Sequence, residues 1–265
     1  MIAIKIGKTE RYINECLETK GALLFTVIDP VDYKSKESAV KNGIALAEGG
    51  ADAVVVGGSI GAQGELLDYV SKEIKEQISV PLILFPGNIA TITRYADAIY
   101  FMSLLNARNP YWITQAQTLS APLIKGMGVE PLPVGYIVTQ PGGTVGWVGD
   151  ANIVPREKPK IAAALALAGE YLGHRIIITD SGSNPKLMNF GPLPPSFVKE
   201  VKSAISCPYI VAGGVSTINE LRSIYKSGAD VIQIGTAFEN SRDTYRKVHV
   251  MSETAKAEGR KKLKR

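Results

Sequence analysis

Two stretches of the chain share one pattern: EGGADAVVVGGS at residues 48–59 and KSGADVIQIGTA at residues 226–237. In each stretch a helical segment ends at a glycine, and Ala-Asp then leads into a short apolar run that ends at another glycine. A glycine after a helix can adopt the left-handed conformation that terminates the helix. The apolar run is short and rich in β-branched residues, as expected for a strand buried on both faces. The pattern therefore predicts the same helix–turn–strand unit near each end of the chain.

Short apolar runs and amphipathic stretches alternate along the rest of the sequence. This alternation predicts parallel strands joined by helical crossovers, and 265 residues is close to the size of a typical eight-fold barrel, about 250 residues. We therefore predict an α/β protein with a single (β/α)8 barrel of the TIM type over residues 1–265. The predicted strands are residues 22–29, 53–57, 81–85, 98–102, 134–138, 175–179, 209–212 and 231–234. The predicted helices are residues 36–48, 66–77, 109–119, 158–171, 195–205 and 217–226.

The excess positive charge of the chain is concentrated at the C-terminus. The net charge is +5, from 30 basic and 25 acidic residues, and five of the basic residues lie within a tail at residues 259–265. The rest of the chain is neutral overall, which argues against a nucleic-acid-binding surface. We expect the tail to be solvated and frayed, with contact to anionic lipid at a membrane surface as the alternative.

Three features of the sequence predict a cytoplasmic protein. Two cysteines are too few for a secreted disulfide framework, and the N-terminus MIAIKIGKTE lacks the apolar core of a signal peptide. The most apolar helical run, residues 161–168, is much shorter than the roughly 20 residues of a membrane span. Because that run is apolar over more than one helix face, we predict a homo-oligomer.

Glycine-rich turns follow the last three predicted strands: DSGSN at 180–184, AGGVST at 212–217 and GTAFE at 235–239. Backbone N–H groups can approach an anion closely where no Cβ intervenes, and a short helix after Gly235 would point its N-terminus at the same anion. TIM barrels commonly bind phosphate between their last loops. The predicted phosphate-binding residues are Ser181, Gly182, Ser183, Gly213, Gly214, Gly235 and Thr236.

Polar residues also end the first two strands. Asp29 ends strand one, where its carboxylate would point toward the mouth of the barrel, although an aspartate before proline also favours a turn. Ser59 lies in VGGSIG at residues 56–61, at the end of the neighbouring strand. One carboxylate, one hydroxyl and phosphate oxygens of a substrate suit Mg²⁺. We therefore predict a Mg²⁺ site at Asp29 and Ser59, with Asp29 as a base as the alternative.

Two further segments at the predicted mouth, residues 101–112 and 135–156, are expected to bind diphosphate and to form a lid, respectively. FMSLLNARNPYW at 101–112 holds a polar cluster in apolar sequence, and we expect Asn106 and Arg108 to bind a diphosphate through charge-assisted hydrogen bonds. Asn109 followed by Pro110 also suits the start of a helix. The least regular stretch, residues 135–156, contains PGGTVGWVG at 141–149, and we favour a lid over a surface excursion.

Taken together, the strand-end motifs resemble geranylgeranylglyceryl phosphate synthase, an archaeal prenyltransferase family, and most closely its second, larger group. The resemblance covers about residues 22–240 and is most specific after strand four. The motifs are DP at 29–30, VGGS at 56–59, FPGN at 85–88, MSLLNARNPYW at 102–112, GYIV at 135–138, AGGV at 212–215 and IGTAFE at 234–239.

The resemblance implies a reaction and its substrates. The hydroxyl of sn-glycerol-1-phosphate would attack C1 of geranylgeranyl diphosphate, forming an ether bond and releasing diphosphate with the help of Mg²⁺, in the synthesis of archaeal membrane phospholipids. Asp29 and Ser59 would hold the metal and the diphosphate, and the glycine-rich turns would hold the glycerol phosphate.

After strand six the chain departs from the family pattern Tyr-Leu-Glu-Ala-Gly-Ser, whose glutamate contacts the glycerol hydroxyls. Ile178 stands in place of the tyrosine, and Asp180 stands in place of the glutamate. We expect Asp180 to be the catalytic carboxylate, with capping of the Gly182 turn as the alternative. Three other functions stay open: heptaprenyl transfer to the same acceptor, as in a bacterial relative; a phosphosugar isomerase, which would need an acid–base pair at the mouth; and a barrel that binds phosphometabolites without catalysis.

Overall fold

Eight parallel strands form a closed barrel in the computed structural model, which describes residues 6–239, 241 and 243–264. Each strand pairs with the next along the chain, and the first pairs with the last. The predicted (β/α)8 barrel is therefore confirmed. The strands are β1 (Leu23–Ile28), β2 (Ala53–Gly58), β3 (Leu82–Pro86), β4 (Ala98–Leu104), β5 (Glu130–Val138), β6 (Ile176–Asp180), β7 (Tyr209–Ala212) and β8 (Val231–Ile234).

Helices surround the barrel and follow every strand except β3, which residues 87–97 join to β4 without a helix. The helices are α1 (Lys8–Lys20), α2 (Lys36–Glu48), α3 (Gly64–Lys75), α4 (Gln115–Met127), α5 (Gly143–Val148), α6 (Pro159–Tyr171), α7 (Pro195–Ala204), α8 (Ile218–Lys226), α9 (Thr236–Glu239) and α10 (Thr244–Leu263). Short 3-10 helices occupy Pro30–Asp32, Pro110–Trp112 and Pro185–Met188. Asn109 accepts a hydrogen bond from the Tyr111 N–H at 2.9 Å, so the expected start of a helix there is confirmed as a 3-10 turn.

Side chains alternate between the two faces of each strand, and this alternation separates two apolar layers. Phe25, Val55 and Ile178 belong to the layer that fills the barrel. Val54 and Ile177 belong to the layer between the strands and the helices. Both layers are almost fully buried, which explains why the predicted strands are continuous apolar runs.

The Ala-Asp repeat fastens neighbouring strands at the N-terminal end of the barrel. Asp52 Oδ2 accepts a hydrogen bond from the Leu24 N–H at 2.9 Å, and Asp230 Oδ2 accepts one from the Tyr209 N–H at 2.9 Å. Gly50 and Gly228 have φ values of +101° and +112°, which glycine adopts without strain. These groups stabilise the barrel at the end opposite its mouth, where TIM barrels seldom place an active site.

The basic tail is an ordered helix end, so the expectation of a frayed tail was wrong. Helix α10 continues to Leu263, and a Cβ at Gly259 would lie 2.0 Å from the Lys20 carbonyl oxygen, so the two backbones are in close contact. Lys262 pairs with Asp230, and Lys261 Nζ lies 2.7 Å from Glu258 Oε1. The helix end therefore packs at the N-terminal end of the barrel. Arg265 lies outside the described residues.

The apolar run at 161–168 falls in α6. Ala162, Ala163 and Ala166 are buried, whereas Ile161 is half exposed. Small buried alanines account for much of the apolar character that we attributed to a subunit contact. Among the described residues, no helix combines the length and hydropathy needed to cross a bilayer.

Candidate active site

The cavity that lies at the C-terminal ends of the strands has a volume of about 480 Å³. Its lining comes from residues that continue the inward-facing positions of the strands, among them Asp29, Ser59, Asp180, Gly214 and Gly235. Each follows the barrel-facing side chains of its strand at intervals of two residues, as strand geometry requires. The strand register therefore brings groups from distant parts of the sequence into one cavity.

The predicted phosphate-binding turns meet on one side of this cavity. Gly213 and Gly214 have φ values of +91° and +82°, a region that side chains with a Cβ rarely adopt. A Cβ at Gly214 would also lie 2.8 Å from the Pro192 nitrogen. Backbone conformation and close packing against the neighbouring turn therefore both favour glycine at position 214. The predicted residues that line the cavity are Gly182, Ser183, Gly213, Gly214, Gly235 and Thr236.

Ser181 is not brought to the cavity, contrary to our expectation. Its side chain is fully buried, and its Oγ lies 3.2 Å from Thr139 Oγ1. Its N–H donates to the Ala212 carbonyl at 3.3 Å. The reason is the alternation of side chains along the strand: Asp180 faces the barrel, so the next residue faces the helical layer.

Asp180 sits at the floor of the cavity with both carboxylate oxygens engaged. Oδ2 accepts a hydrogen bond from the Tyr136 hydroxyl at 2.7 Å, and Oδ1 accepts one from the Gly182 N–H at 2.7 Å. Asp180 therefore caps the Gly182 turn while it also lines the cavity. Burial raises the pKa of Asp180, and the two hydrogen bonds oppose that rise. A carboxylate oxygen that accepts one bond has room for a second donor, so a hydroxyl in the cavity can still bind.

Aromatic and amide groups build the floor beside Asp180. The Phe85 ring packs edge-to-face against Tyr100 and Tyr136, with centroids 5.5 and 5.6 Å apart. The Tyr100 hydroxyl donates to Gln233 Oε1 at 2.9 Å. Sequence reasoning missed Tyr136 and Gln233 as site residues, although a glutamine inside the apolar strand VIQI was a usable signal. Two buried tyrosines thus orient polar groups at the base of the cavity.

The side of the cavity next to β1 and β2 is acidic. Burial, the nearby Asp32 charge and the Glu239 charge raise the pKa of Asp29 to about 7, and a hydrogen bond from the Val31 N–H opposes them. A Cβ at Gly58 would lie 2.6 Å from Asp29 Oδ1, so the ends of β1 and β2 are in close contact. Ser59 lines the cavity nearby. The structure therefore brings Asp29 and Ser59 to one cavity, as expected.

The cavity lining contains more acidic than basic side chains among the residues that the structure describes, which favours a bound cation. In the described part of the chain, four carboxylates, those of Asp29, Asp32, Asp180 and Glu239, line the cavity together with the ammonium groups of Lys186 and Lys247. Oxygen donors suit Mg²⁺, which one or two carboxylates usually hold together with substrate phosphates. Among the described residues, no three His, Cys, Asp or Glu side chains meet closely enough to hold an ion by themselves. The donor set fits a Mg²⁺ ion that shares its ligands with a bound phosphate compound.

Asn106 and Arg108 do not line the cavity, so the structure does not bring the predicted diphosphate contacts together. Asn106 Oδ1 accepts from the Val138 N–H at 3.0 Å, and its Nδ2 donates to the Val138 carbonyl at 2.8 Å. Arg108 Nε lies 3.3 Å from Asp150 Oδ1, and the arginine side chain is 68% exposed. After β4 the chain turns away to pair with the segment that follows α5. Asn106 and Arg108 therefore stabilise the end of β5 and the segment that follows α5.

The segment expected to form a lid begins later than predicted, because β5 extends from Glu130 to Val138. Its helix α5 contributes Val145 to the cavity, and the Gly142 N–H donates to the Ser181 carbonyl at 3.1 Å. Trp147 in the same helix is 83% exposed. The segment covers the mouth beside the β6 turn, and its opening and closing stays a prediction.

An apolar groove extends from the polar cavity between β3, β4 and α4. The volume of this groove is about 90 Å³. The residues that line both spaces are Ser59, Pro86, Gly87, Met102, Tyr136 and Val145. The residues that line the groove alone include Ile92, Phe101, Leu104, Trp112 and Ile124. An acidic, glycine-rich cavity is therefore continuous with an apolar groove.

Fold and site define a (β/α)8 barrel enzyme with a glycine-rich cradle, a buried carboxylate and an apolar groove at the mouth. The chain matches the PcrB family over residues 14–254, and it belongs to that family.

Named relatives agree with this assignment. The chain is 52% identical over 240 residues to geranylgeranylglyceryl phosphate synthase of Pyrococcus abyssi, covering 90% of this chain and 93% of the relative. It is 46% identical to the synthase of Methanosphaera stadtmanae, covering 92% and 98%. These matches confirm the resemblance inferred from the strand-end motifs.

Solved structures agree as well. The chain superposes on (S)-3-O-geranylgeranylglyceryl phosphate synthase from Thermoplasma acidophilum, solved with its substrate sn-glycerol-1-phosphate, with a TM-score of 0.86 at 31% identity over 92% of this chain and 98% of that chain. A thiamine phosphate pyrophosphorylase from Pyrococcus furiosus shares only the fold, at 12% identity with a TM-score of 0.61 and coverage of 91% and 98%.

Proposed function

We propose that the protein is a prenyltransferase that joins sn-glycerol-1-phosphate to geranylgeranyl diphosphate through an ether bond and releases diphosphate, in the synthesis of archaeal membrane phospholipids. The observation that carries this proposal is the continuity of the glycine-rich cavity with the apolar groove. A substrate pair with two anionic groups and one long hydrocarbon chain needs both spaces. The names of the relatives and the glycerol phosphate in the Thermoplasma structure support the same pair.

The acceptor phosphate would bind at the glycine-rich turns. Gly213 and Gly214 line the cavity, and their backbone groups would approach the anion there. From there the glycerol carbons would extend toward Asp180 at the cavity floor. Asp180 would accept a hydrogen bond from the reacting hydroxyl, with Tyr136 holding the carboxylate in place.

The donor would place its hydrocarbon chain in the apolar groove and its diphosphate beside Asp29 and Ser59. Burial of a prenyl chain stabilises the complex by about 0.8 kcal/mol per buried CH₂ group. Asp29 and Ser59 would hold Mg²⁺, which when bound neutralises charge on the departing diphosphate. With four carboxylates in the lining, two phosphate compounds would otherwise meet a surplus of negative charge.

In the proposed reaction, the acceptor hydroxyl oxygen forms a bond to C1 of the prenyl chain while the bond between C1 and the diphosphate oxygen breaks. The proton of the hydroxyl passes to the Asp180 carboxylate. Because burial raises the pKa of Asp180, this carboxylate is a stronger base than an exposed aspartate. General base catalysis of this kind typically contributes about 10²- to 10⁴-fold to a rate.

We further propose a cytoplasmic homo-oligomer that meets the membrane only peripherally. Ile60, Trp147 and Leu187 are exposed apolar side chains, and each is close in sequence to a residue that lines the cavity, namely Ser59, Val145 or Lys186. The basic end of α10 lies at the opposite end of the barrel. Any contact with lipid would therefore involve the mouth rather than the tail. Light scattering at micromolar concentration tests the oligomer, and a monomeric mass would contradict it.

Product analysis tests the proposed reaction. The protein is incubated with Mg²⁺, sn-glycerol-1-phosphate and labelled farnesyl, geranylgeranyl or heptaprenyl diphosphate, and the organic-soluble product is identified by mass. We expect an ether product that forms fastest with the geranylgeranyl donor and disappears when the metal is chelated. Faster transfer of the heptaprenyl chain would indicate the bacterial activity instead. No product with any donor would contradict the proposal.

A further inference from the structure

The turn between β6 and α7 presents a lysine to the cavity. A 3-10 helix at Pro185–Met188 is flanked by Asn184 and Asn189, whose φ values are +45° and +62°. Asparagine tolerates this left-handed region better than most residues. The helix exposes Leu187 to 81% while Lys186 lines the cavity. The conformation of this turn therefore places the Lys186 side chain, and not that of Leu187, at the cavity.

Lys186 reaches across to the loop that follows Gly213 and Gly214. Its Nζ lies 2.5 Å from Ser216 Oγ and 3.1 Å from Glu220 Oε1. Glu220 is itself fixed, because its Oε2 accepts hydrogen bonds from the Ser216 and Thr217 N–H groups at 2.8 and 2.9 Å. Ser216 also lines the cavity. The ammonium group is thus held next to the glycine-rich turn.

An ammonium group has three N–H donors, and these two contacts use two of them. The third remains for a ligand in the cavity. Lys247 also lines the cavity, but it donates to the Ala237 carbonyl and lies 5.9 Å from the centre of the Phe238 ring. Among the described lysines of the lining, Lys186 is therefore the one that is anchored directly to the loop after Gly213 and Gly214.

The C-terminal end of the connection between β6 and α7, at Gly191 and Pro192, is also fixed by hydrogen bonds. Arg156 Nη1 donates to the Gly191 carbonyl at 3.0 Å, and Nη2 donates to the Pro192 carbonyl. The guanidinium carbon lies 5.4 Å from the centre of the Phe190 ring. Gly191 and Pro192 pack against Gly214. Because both ends of the turn are held, little ordering is needed when a ligand binds.

We propose that Lys186 binds the phosphate of the glycerol phosphate acceptor, as a cationic complement to the backbone of the glycine-rich turns. This inference rests on the proposed function. The competing explanation is that Lys186 only pairs with Glu220, as many surface ion pairs do with little effect. The two explanations differ in what they predict for acceptor binding, because a purely structural pair leaves the affinity for phosphate unchanged.

Steady-state kinetics of Lys186→Met, Lys186→Arg and the control Lys256→Met test the proposal. Lys256 is a matched control because its side chain is 43% exposed and pairs with Glu253 at 2.8 Å, whereas the Lys186 side chain is 44% exposed and pairs with Glu220 at 3.1 Å. For Lys186→Met we expect the KM for glycerol phosphate to rise about ten-fold, the loss typical of one charge-assisted hydrogen bond. The KM for the prenyl diphosphate should stay within about two-fold of wild type, Lys186→Arg should recover part of the loss, and Lys256→Met should match wild type.

Inorganic phosphate provides a second measurement that does not depend on turnover. Calorimetry should show it binding Lys186→Met more weakly than wild type, by about the same ten-fold factor. An unchanged affinity for phosphate together with an unchanged acceptor KM would overturn the proposal, and so would a loss confined to the prenyl diphosphate. If the wild-type protein forms no ether product, the proposed function fails, and phosphate binding still tests the role of Lys186. Thermal unfolding of each variant verifies that the fold is retained.

Discussion

The hydrogen bond from Tyr136 to Asp180 gives the most specific prediction, that Tyr136→Phe shifts the pH dependence of the enzyme. The phenol donates to Asp180 Oδ2 at 2.7 Å, and both side chains are buried. The bond stabilises the charged carboxylate, so it lowers the pKa of Asp180 against the rise caused by burial. Removing the hydroxyl therefore raises that pKa further while the ring and its packing remain.

The size of the shift follows from the energy of the bond. A hydrogen bond to a charged group contributes about 1.5–3 kcal/mol, and 1.36 kcal/mol corresponds to one pH unit. Removing the bond should therefore raise the pKa of Asp180, and an energy of this size displaces the acidic limb of a pH profile by about one to two pH units. Because only the ionised carboxylate can take the hydroxyl proton, activity falls as the pH drops through this pKa. The acidic limb of the profile should move to higher pH in the variant.

The assay is kcat/KM for glycerol phosphate against pH, measured for wild type, Tyr136→Phe and Tyr100→Phe. Tyr100→Phe is the matched control, since Tyr100 is also buried and packs against Phe85, but its hydroxyl donates to the amide of Gln233. Its acidic limb should stay in place. An unmoved limb in Tyr136→Phe, or an equal shift in both variants, would refute the reasoning about Asp180.

Three further predictions concern the cradle, the metal site and the β5 turn. Gly214→Val should raise the KM for glycerol phosphate much more than the KM for prenyl diphosphate, because its Cβ would meet Pro192; equal rises in steady-state assays would show that the substrates are placed wrongly. Asp29→Asn should lose most turnover with its thermal unfolding little changed, since a mouth residue contributes little to the core; full turnover at saturating Mg²⁺ would count against a metal role. Asn106→Ala should lower the free energy of unfolding by about 1–3 kcal/mol, since it leaves the buried N–H of Val138 unpaired; a selective rise in the KM for prenyl diphosphate, with stability unchanged, would instead restore the diphosphate role.

The barrel was predictable because its signals are local. Each strand is a short apolar run, and Gly50 and Gly228 end the helices that precede two of them. The start of β5 was missed because Pro131 and Pro133 lie inside it, and proline argues against a strand. The ordered end of α10 was missed because the contact between Gly259 and Lys20 joins residues that are far apart in sequence.

Side-chain direction limited what could be predicted of the site. A motif such as DSGS marks a functional turn, but only the register of β6 shows that Asp180 faces the cavity and Ser181 the helical layer. Applying the two-residue alternation to the strand would have separated them. The contacts of Tyr136 and Lys186 join different strands and loops, and no local pattern encodes them.

The activity of Asp180→Ala, compared with wild type, tests the central claim most directly. Single-turnover transfer from labelled geranylgeranyl diphosphate to sn-glycerol-1-phosphate is measured for both proteins, together with binding of the prenyl diphosphate alone. We predict that the variant loses at least about 100-fold in the rate of ether formation while its affinity for the prenyl diphosphate stays unchanged. Ether formation at the wild-type rate in Asp180→Ala would contradict the account.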